Sequence, residues 1–508
     1  MENYDAIIVG AGVGGITLGN FLSKYGKKVL VLDKEPKAGG QLSSFKRGDF
    51  HFDSSITHLK YMREGGVISP FLKFWDKEVA YDEIEHNFIG VTNGRKYKVR
   101  GKYFAEDLIK AFPQDEADIR NYFREVQKVQ QSIKKFKTMK PPFEMNFSDK
   151  VKFVFDLVTR KRIIAKYTSA DYVKTLNKFF KNRELINFIF SILPVASMPA
   201  YFQMFTVGTN SYYPTGGMQS MADAFVEVLV ENGGQLKLNS EVVEIIIKDG
   251  KAIGVKTKSG EEYYGNYVIS NVAPHYTFGK LVDRNLASPL LKNMIENRNV
   301  FESFCFVYLG MSKDFKLNNG DYLVFPDEVD LSIAYKDYTP DNCPLSLIRY
   351  PLQDENQDYA LLLAGIIPYD YKDYWGTYGD KKHDEEYRKV KLEVQEKMID
   401  RVAGILGPDF KANIKYRVTG TPLSFERYTN VERGSTMGWS MKGWKVSFNA
   451  VYPPYKTNIE NMYLVGQFTF PGGGIPGVLT SGYYLACELL GKENIDLAKE
   501  IKKFRNLG

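Results

Sequence analysis

The sequence predicts an α/β fold: a Rossmann-like nucleotide-binding domain made of three chain segments, with an inserted α+β substrate domain that carries a helical subregion. A strand–glycine loop–helix–strand unit opens the chain, α/β patterning returns near residue 213, and a Gly/Pro loop precedes an apolar helix near the C-terminus. The predicted nucleotide-binding segments are 1–65, 206–285 and 456–508, and the inserted ones are 66–205 and 286–455, with the helical part at about 105–205.

The first 33 residues have the pattern of a βαβ unit. Asp5–Val9 is a short apolar run, typical of a buried parallel strand, and Gly10-Ala-Gly-Val-Gly-Gly15 follows it directly. The pattern then predicts a helix from Ile16 to Lys24 and a second strand at Lys28–Asp33. This order of elements is the context that a GxGxxG motif needs to indicate dinucleotide binding.

Each residue type in this unit has a physical role toward a dinucleotide. The first glycine permits a tight turn, Gly12 lets the backbone approach a pyrophosphate, and Gly15 lets the helix lie close to the strand. The helix N-terminus offers free N–H groups and a partial positive charge to phosphates. Asp33 ends the second strand, where its carboxylate can accept hydrogen bonds from ribose hydroxyls.

Two further α/β segments complete the predicted domain. A helix is predicted to begin after Pro214-Thr-Gly-Gly217 and to end at Asn232, and Asp249-Gly250 and Ser259-Gly260 are hairpin signals. Near the C-terminus, a strand at Asn461–Gly466 precedes the Gly/Pro loop. This domain has further predicted strands at 235–238, 242–247, 252–257 and 267–270 and a helix at 477–490. In the inserted segments, helices are predicted at 106–112, 119–129, 151–158, 184–193 and about 384–405.

Composition excludes several classes of protein. Of 508 residues, 68 are Lys or Arg and 61 are Asp or Glu, so the net charge of +7 is small and spread out, and we expect no nucleic-acid partner. Three cysteines and five histidines form no metal-ligand spacing, so no metal is expected. The N-terminus lacks signal-peptide features and no apolar run could span a membrane, which predicts a cytoplasmic protein with contact to a membrane surface left open.

FAD is favoured over NAD as the cofactor. After the second strand, the chain continues as Asp33-Lys-Glu-Pro-Lys-Ala-Gly-Gly40-Gln-Leu-Ser-Ser44, which resembles the extended N-terminal motif of the FAD superfamily that includes amine oxidases and phytoene desaturases. A second GxGxxG for NAD(P)H is absent. No cysteine lies in the C-terminal Gly/Pro loop, so we predict that FAD binds non-covalently.

Three further blocks extend the resemblance over nearly the whole chain. Phe52-Asp-Ser-Ser-Ile-Thr-His-Leu59 resembles a segment beside the flavin, although Ser55 stands where glycine is usual. Asn271-Val-Ala-Pro274 resembles part of the desaturase core, as do the residues around Tyr213–Met218. The C-terminal block Tyr463–Gly477 is the most specific, although Gln467 stands where an acidic residue is common. The chain thus resembles the phytoene desaturase, carotenoid isomerase and retinol saturase group of flavoproteins.

The resemblance and the glycine loop together predict a set of cofactor contacts. The helix after the Gly/Pro loop would direct its N–H groups at the flavin, where negative charge gathers on reduction. The predicted FAD-binding residues are Gly10, Gly12, Val13, Gly14, Gly15, Asp33, Lys34, Gly40, Gln41, Leu42, Ser55, Ile56, Thr57, Val243, Asn271, Gly466, Gln467, Gly474, Ile475 and Pro476.

The resemblance implies an FAD-dependent oxidoreductase acting on carbon–carbon bonds of a hydrophobic polyene or isoprenoid, such as a carotenoid or retinoid. Desaturation, saturation and isomerisation stay open, and so does the external electron donor or acceptor. The flavin carries the redox chemistry, so no protein nucleophile is required. His58 could move a proton, although a hydrogen-bonded structural histidine is the favoured interpretation.

Other functions remain alternatives at this stage. An amine-oxidase-like enzyme acting on C–N bonds is the main one, a non-catalytic flavin-binding protein is another, and a pure NAD dehydrogenase is the least favoured. In the helical part, phenylalanines at 153, 155, 179, 180, 188 and 190 lie near basic residues and could line a tunnel or meet a membrane. Core-facing helices with solvated Lys and Arg are the favoured interpretation of this pattern.

Overall fold

A computed structural model describes residues 3–63, 66–92, 94–133, 144–159, 162–351, 356–380, 383–442, 452–492 and 496–497. These described residues form two seven-stranded sheets, two two-stranded sheets and helices that cover them. Within the described residues, no helix combines the length and the apolar character needed to cross a bilayer.

The strands follow one another along the chain in this order: β1 (Asn3–Val9), β2 (Val29–Leu32), β3 (Ser44–Arg47), β4 (Phe50–Asp53), β5 (Tyr81–Ile84), β6 (Asn87–Val91), β7 (Lys96–Arg100), β8 (Ser211–Pro214), β9 (Gln235–Lys237), β10 (Val242–Lys248), β11 (Lys251–Thr257), β12 (Glu262–Ser270), β13 (Cys305–Met311), β14 (Asp321–Val324), β15 (Leu345–Arg349), β16 (Tyr359–Gly365), β17 (Ile414–Gly420) and β18 (Met462–Leu464).

The helices, in the same order, are α1 (Val13–Lys24), α2 (Ser69–Trp75), α3 (Phe104–Ala111), α4 (Glu116–Ile133), α5 (Phe147–Thr159), α6 (Arg162–Thr168), α7 (Tyr172–Phe179), α8 (Arg183–Ser191), α9 (Ala200–Thr206), α10 (Met218–Glu231), α11 (Pro274–Tyr276), α12 (Pro289–Asn297), α13 (Tyr371–Trp375), α14 (Glu385–Leu406), α15 (Pro408–Ala412), α16 (Pro422–Thr429) and α17 (Ile475–Leu489).

The first sheet has β1 at its centre. Its parallel strands run in the order β18-β12-β1-β2-β9, and the antiparallel strands β11 and β10 extend it beyond the first half of β12. Alternate side chains of β1 enter different cores: Ala6 and Ile8 pack with α1, α10 and α17, whereas Ile7 and Val9 pack on the opposite face. Because β1, β12 and β18 are parallel, the loops that follow them lie at one edge.

The second sheet has the strand order β17-β13-β16-β15-β14-β6-β7. Neighbours are antiparallel except β14 and β6, which are parallel. One face packs against α14, where Val394 and Met398 join the core formed by Val307, Leu347 and Leu363. The other face packs against Phe52 of β4 and the helices α3 to α9.

The α/β prediction is confirmed, and the predicted elements are found with shifted ends. α1 begins at Val13 rather than Ile16, since the glycines at 14 and 15 are already helical, and β12 begins at Glu262 rather than Tyr267 because it pairs with β11 over its first half. The two large sheets draw their strands from the two sets of predicted segments. The domain boundaries themselves stay predictions. The helix α2 belongs to the predicted inserted segment 66–205, yet it packs on α1 of the first segment, where the rings of Phe74 and Phe21 stack with centroids 5.0 Å apart.

Candidate functional site

One cavity of about 2030 Å³ runs from the carboxyl ends of β1, β12 and β18 to the inner face of the second sheet. Its first part lies where the strand order of the parallel sheet reverses around β1, which is the usual ligand crevice of such sheets. Its second part is enclosed mainly by apolar side chains of the second sheet and of the helical region.

The loop between β1 and α1 is packed so closely that it tolerates no side chains at key positions. A Cβ at Gly15 would overlap the carbonyl oxygen of Gly10, and a Cβ at Gly14 would lie 2.9 Å from the Cα of Gly466. Asn271 donates through Nδ2 to the same Gly10 oxygen at 3.1 Å. The bare backbone of three loops is therefore held together at the cavity edge.

Two helices present uncapped N-termini to this part of the cavity. α1 begins after Gly12 and α17 begins after Gly474, and neither helix has a side-chain cap or an acidic residue in its first turn. Both starting points line the cavity. Their free N–H groups and partial positive charge are consequently available to a ligand that carries or develops negative charge.

Asp33 is fixed at the end of β2 by backbone donors. Its carboxylate accepts hydrogen bonds from the N–H of Ala11 at 2.6 Å and from the N–H of Glu35 at 2.9 Å. Burial raises the pKa of Asp33, and the two backbone hydrogen bonds act in the opposite direction. Ser240 and Glu241 line the cavity beside it, and the N–H of Ser240 donates to the Asp33 carbonyl at 2.7 Å.

The predicted FAD-binding residues lie on the cavity wall with two exceptions. Gly15 lies behind the loop, where it serves the close approach of α1 to β1. Val243 is 38% exposed and does not line the cavity, whereas its neighbour Val242 does, so the contact at Val243 stays a prediction and Val242 is a further candidate. The pairing of β10 with β11 shifts register between Val242 and Glu244, and this irregularity gives the two valines different surroundings.

The second part of the cavity has a continuous wall made by six strands. In register across the second sheet, β17, β13, β16, β15, β14 and β6 contribute one cavity-lining residue each: Val418, Tyr308, Leu362, Ile348, Tyr322 and Phe88. A second row includes Phe306, Ala364 and Ser346. The predicted strands in this region had not indicated this wall, since its members are spread over more than 300 residues of sequence.

In the helical region, most of the phenylalanines face the core, as the favoured interpretation has it, and one lines the cavity. Phe153 lines the cavity, but Phe180, Phe188 and Phe190 are buried in the helical core, and Phe155 is 58% exposed. Ile189 lies between two of these phenylalanines and does reach the cavity. The core interpretation thus holds for most of these side chains.

The segment after β4 connects the two parts of the cavity. Ser54 and Ser55 both donate to the Gln41 carbonyl, at 3.1 and 3.0 Å, and the Tyr308 hydroxyl donates to the Ser54 carbonyl. His58 lines the cavity, and its Nδ1 lies 3.1 Å from the Thr57 hydroxyl. Burial lowers the pKa of His58 well below its usual range, so the ring is neutral at pH 7.

Lys60 is a cavity residue that the sequence reasoning missed. Its Nζ donates to the Thr209 carbonyl at 2.9 Å and to the Ser211 hydroxyl at 2.7 Å. Burial lowers its pKa to about 7. A signal was present in the sequence, because Lys60 directly follows Ser54–Leu59, the segment that the resemblance places beside the flavin, and that segment contains no acidic residue to pair with it.

Asp53 anchors this segment from behind. The side chain is 1% exposed, and its carboxylate accepts hydrogen bonds from the Ser44 hydroxyl at 2.5 Å, the Tyr213 hydroxyl at 2.6 Å and the Met218 N–H at 3.0 Å. Burial raises the pKa of Asp53, whereas these donors favour its ionised form. The carboxylate therefore joins the β3–β4 hairpin to the start of α10.

Replacing Asp53 by alanine is expected to lower the free energy of unfolding by about 3 kcal/mol or more, because three buried donors lose their acceptor. Denaturant unfolding of the purified variant measures this loss. Asp53→Asn keeps one acceptor oxygen and should fall between the wild type and Asp53→Ala. Equal stability of Asp53→Ala and the wild type would contradict this role.

The cavity's first part has the features that a bound FAD requires. It offers glycine backbone and two free helix ends for phosphates and flavin, Asp33 for a ribose, and the Tyr452 hydroxyl, which is buried against Gly472 with no hydrogen-bond partner among the described residues. Fold and site together define a flavoprotein of the doubly wound dinucleotide-binding class.

The comparison with known families agrees. Residues 13–490 match the family described as flavin containing amine oxidoreductase, and the chain belongs to this family. This membership confirms the predictions that the chain is an oxidoreductase and that FAD is its cofactor. Non-covalent binding stays a prediction, although no cysteine lines the cavity in the described part of the chain.

Individual relatives are similar over nearly their whole length. All-trans-retinol 13,14-reductase from Danio rerio is 24% identical, with 99% of this chain and 90% of the relative covered. Prolycopene isomerase 1, chloroplastic, from an Oncidium hybrid cultivar is 27% identical, with 96% and 83% covered. The solved structure of cyclohexylamine oxidase from Brevibacterium oxydans has a TM-score of 0.60 at 12% identity, over 96% of this chain and 99% of that one.

Proposed function

We propose that this chain is an FAD-dependent enzyme that acts on carbon–carbon bonds of a hydrophobic polyene or isoprenoid, such as a carotenoid or retinoid. One observation carries the proposal: the apolar wall of the second sheet continues directly from the glycine-lined edge where FAD would lie. A rigid, elongated hydrocarbon could lie along this wall and reach the flavin from one side. Water would be largely excluded from the reacting bond.

The names of the two curated relatives support a substrate of this class. One is named as a reductase of all-trans-retinol and the other as an isomerase of prolycopene. These names do not agree on the reaction, so desaturation, saturation and isomerisation all remain within the proposal. The electron donor or acceptor is likewise left open.

We assign the cofactor contacts to the predicted residues that line the cavity, and we add Val242 beside Val243. When bound, FAD would supply hydride or electron transfer at a substrate carbon. The N-terminus of α1 would hold the pyrophosphate, and the Asp33 carboxylate would accept hydrogen bonds from the ribose hydroxyls. The N-terminus of α17 would stabilise negative charge on the flavin. His58 is neutral at pH 7, so it could accept a proton from the substrate, but it would not be a stable proton donor.

The amine-oxidase alternative finds less support in the cavity. The carboxylates that line the cavity are Asp33, Glu35 and Glu241. Asp33 and Glu35 follow β2, and Glu241 lies beside Asp33, so all three belong to the first part of the cavity. In the described residues, no carboxylate lines the apolar part to stabilise an ammonium ion. A cationic amine would thus have to be desolvated there without a counter-charge.

Anaerobic flavin spectroscopy of the purified holoenzyme tests the proposal. Chemically reduced enzyme is mixed with detergent-dispersed retinol or a carotene, and oxidised enzyme with putrescine or cyclohexylamine. We expect the polyenes, and not the amines, to change the flavin spectrum or to be altered in its presence. Flavin reduction by an amine, together with no response to any polyene, would overturn the proposal.

We further propose that α5 brings the cavity to a membrane surface from which a lipophilic substrate could enter. Phe147, Val151, Val154 and Phe155 form an exposed apolar stripe at helical spacing, with Phe147 84% exposed. Lys150 and Phe153, on the same helix, line the cavity. Exposed apolar side chains beside lysines are the pattern of a helix that lies in a lipid interface.

The double variant Phe147→Ser/Phe155→Ser is expected to bind vesicles of phosphatidylcholine and phosphatidylglycerol about tenfold more weakly, because less apolar surface enters the interface. Co-sedimentation with vesicles measures this change. Tyr378→Ser is the matched control, since Tyr378 is 77% exposed outside α5. Unchanged vesicle binding of the double variant would refute membrane contact through α5.

A further inference from the structure

Lys60 places an amino group inside the cavity, and this group has unused hydrogen-bonding capacity. An ammonium group has three donors, and Lys60 uses two of them on the Thr209 carbonyl and the Ser211 hydroxyl. The side chain is enclosed by protein, yet it is partly accessible and lines the cavity, so its free surface faces the cavity interior. The third donor is available to a ligand there.

No counter-charge accompanies this ammonium group in the described part of the protein. The ionisable groups around it are His58 on its own segment and His86 just before β6, and both are neutral at pH 7 because burial lowers their pKa values, that of His86 to about 3. Tyr61 is turned away, with its hydroxyl on the Phe205 carbonyl at 3.3 Å. A buried cation without an anion is costly, and a ligand anion would relieve that cost.

The position of Lys60 within the cavity limits what such a ligand can be. Lys60 lies four residues beyond Ile56 in the segment predicted to flank the flavin, and it is bonded to the chain just after α9. Two phenylalanines line the cavity nearby: Phe88, whose ring centroid is 5.8 Å from that of His86, and Phe205, which stacks on Tyr61 at 4.9 Å. Lys34 and Lys391 also reach the cavity, but both are less deeply enclosed than Lys60.

We propose that Lys60 binds the carboxylate head group of an amphipathic polyene acid, whose hydrocarbon chain lies along the apolar wall. This inference rests on the proposed function and narrows it, because a pure hydrocarbon polyene would leave the third donor of Lys60 unpaired. The salt bridge formed would orient the chain and determine which double bond lies nearest to the flavin. Without it, the apolar wall offers the polyene no fixed end.

Binding is then coupled to protonation. The unliganded lysine, whose pKa is lowered to about 7, is largely neutral at pH 8, and a bound carboxylate raises that pKa again. Binding of the anion should thus take up a proton at pH 8. The apparent affinity should fall by up to about tenfold for each pH unit above 7.

The test uses all-trans-retinoic acid and its methyl ester as probes, titrated into the holoenzyme at pH 7 and pH 8. At pH 7 we expect the wild type to bind the acid at least about tenfold more tightly than the ester, as a charge-assisted hydrogen bond provides, and at pH 8 we expect a smaller preference. Lys60→Met should remove this preference while changing ester affinity less than about twofold. Calorimetry in two buffers of different ionisation enthalpy should show proton uptake at pH 8 with the acid alone.

Lys251→Met is the matched control, because Lys251 lies at the start of β11 and forms an exposed ion pair with Glu460. This variant should keep the wild-type preference for the acid. Equal affinity of the wild type for acid and ester would overturn the inference. A preference for the acid that persists in Lys60→Met would also overturn it. Neither result would contradict the proposed function. Loss of FAD from Lys60→Met would assign the lysine to the cofactor and also overturn the inference. Binding of neither probe would also overturn the inference, and the flavin spectroscopy with a carotene would then decide on the proposed function.

Discussion

A Gly15→Ala variant is expected to lose most of its bound FAD during purification. The new methyl group would overlap the Gly10 carbonyl oxygen and would approach Asn271 Nδ2 to 3.0 Å, so α1 would have to move away from β1. Overpacking of this kind costs about 1–3 kcal/mol. If the cost falls on the cofactor site, FAD binds roughly 10- to 100-fold more weakly, since 1.4 kcal/mol corresponds to a factor of ten.

The FAD content per protein chain, read from the visible absorbance of purified protein, measures this effect. Gly404→Ala is the matched control, because Gly404 is also helical, in α14, and a Cβ there would meet nothing within 4 Å. The control should keep its FAD and gain a little stability. Full FAD content in Gly15→Ala would show that FAD binding does not depend on the close packing of α1 against the loop after β1.

The second large effect is expected from Ala364→Trp. Ala364 lies on β16 between Phe306 and Ser346 of the neighbouring strands, and all three line the apolar part of the cavity. An indole at this position fills the space in which the polyene would lie and displaces the reacting bond from the flavin. Misplacement by about 1 Å can cost 100-fold in rate, so kcat/KM for a polyene should fall by about that factor.

FAD content and thermal stability of the variant should stay near those of the wild type, because the cofactor edge belongs to the other sheet. Ala364→Gly, which leaves the cavity open, is the control and should retain kcat/KM within a few-fold. Unchanged kcat/KM in Ala364→Trp would place the substrate outside the apolar part of the cavity.

The first sheet could be predicted because its information is local. In β1–α1–β2, strand, glycines, helix and acid follow one another within 33 residues, and the predicted ends differ from the observed ones by at most three residues. The second sheet could not be predicted in this way. Its parallel pair β6 and β14 joins Phe88 to Tyr322, and no local pattern reports such a register.

The candidate site shows the same division. Glycine positions follow from backbone packing and could be predicted, as at Gly14 and Gly466, where loops meet with no room for a Cβ. The valine pair at 242 and 243 could not be resolved, because two adjacent β-branched residues fit either face of a strand. Lys60 could not be predicted, because its significance depends on its surroundings in the fold. Its two hydrogen-bond acceptors come from a segment that begins 149 residues further along the chain, and none of the described carboxylates lies beside it.

The central claim is that FAD and a polyene react within one cavity of this chain. Single-turnover reactions with stoichiometric polyene, run with oxidised, reduced and FAD-depleted enzyme, test it most directly when the extracted product is analysed by mass and double-bond geometry. We predict a product that differs from the substrate by two hydrogens or by geometry, formed only when FAD is present and dependent on its oxidation state. Identical, unaltered polyene in all three samples, or equal conversion without FAD, would contradict the claim.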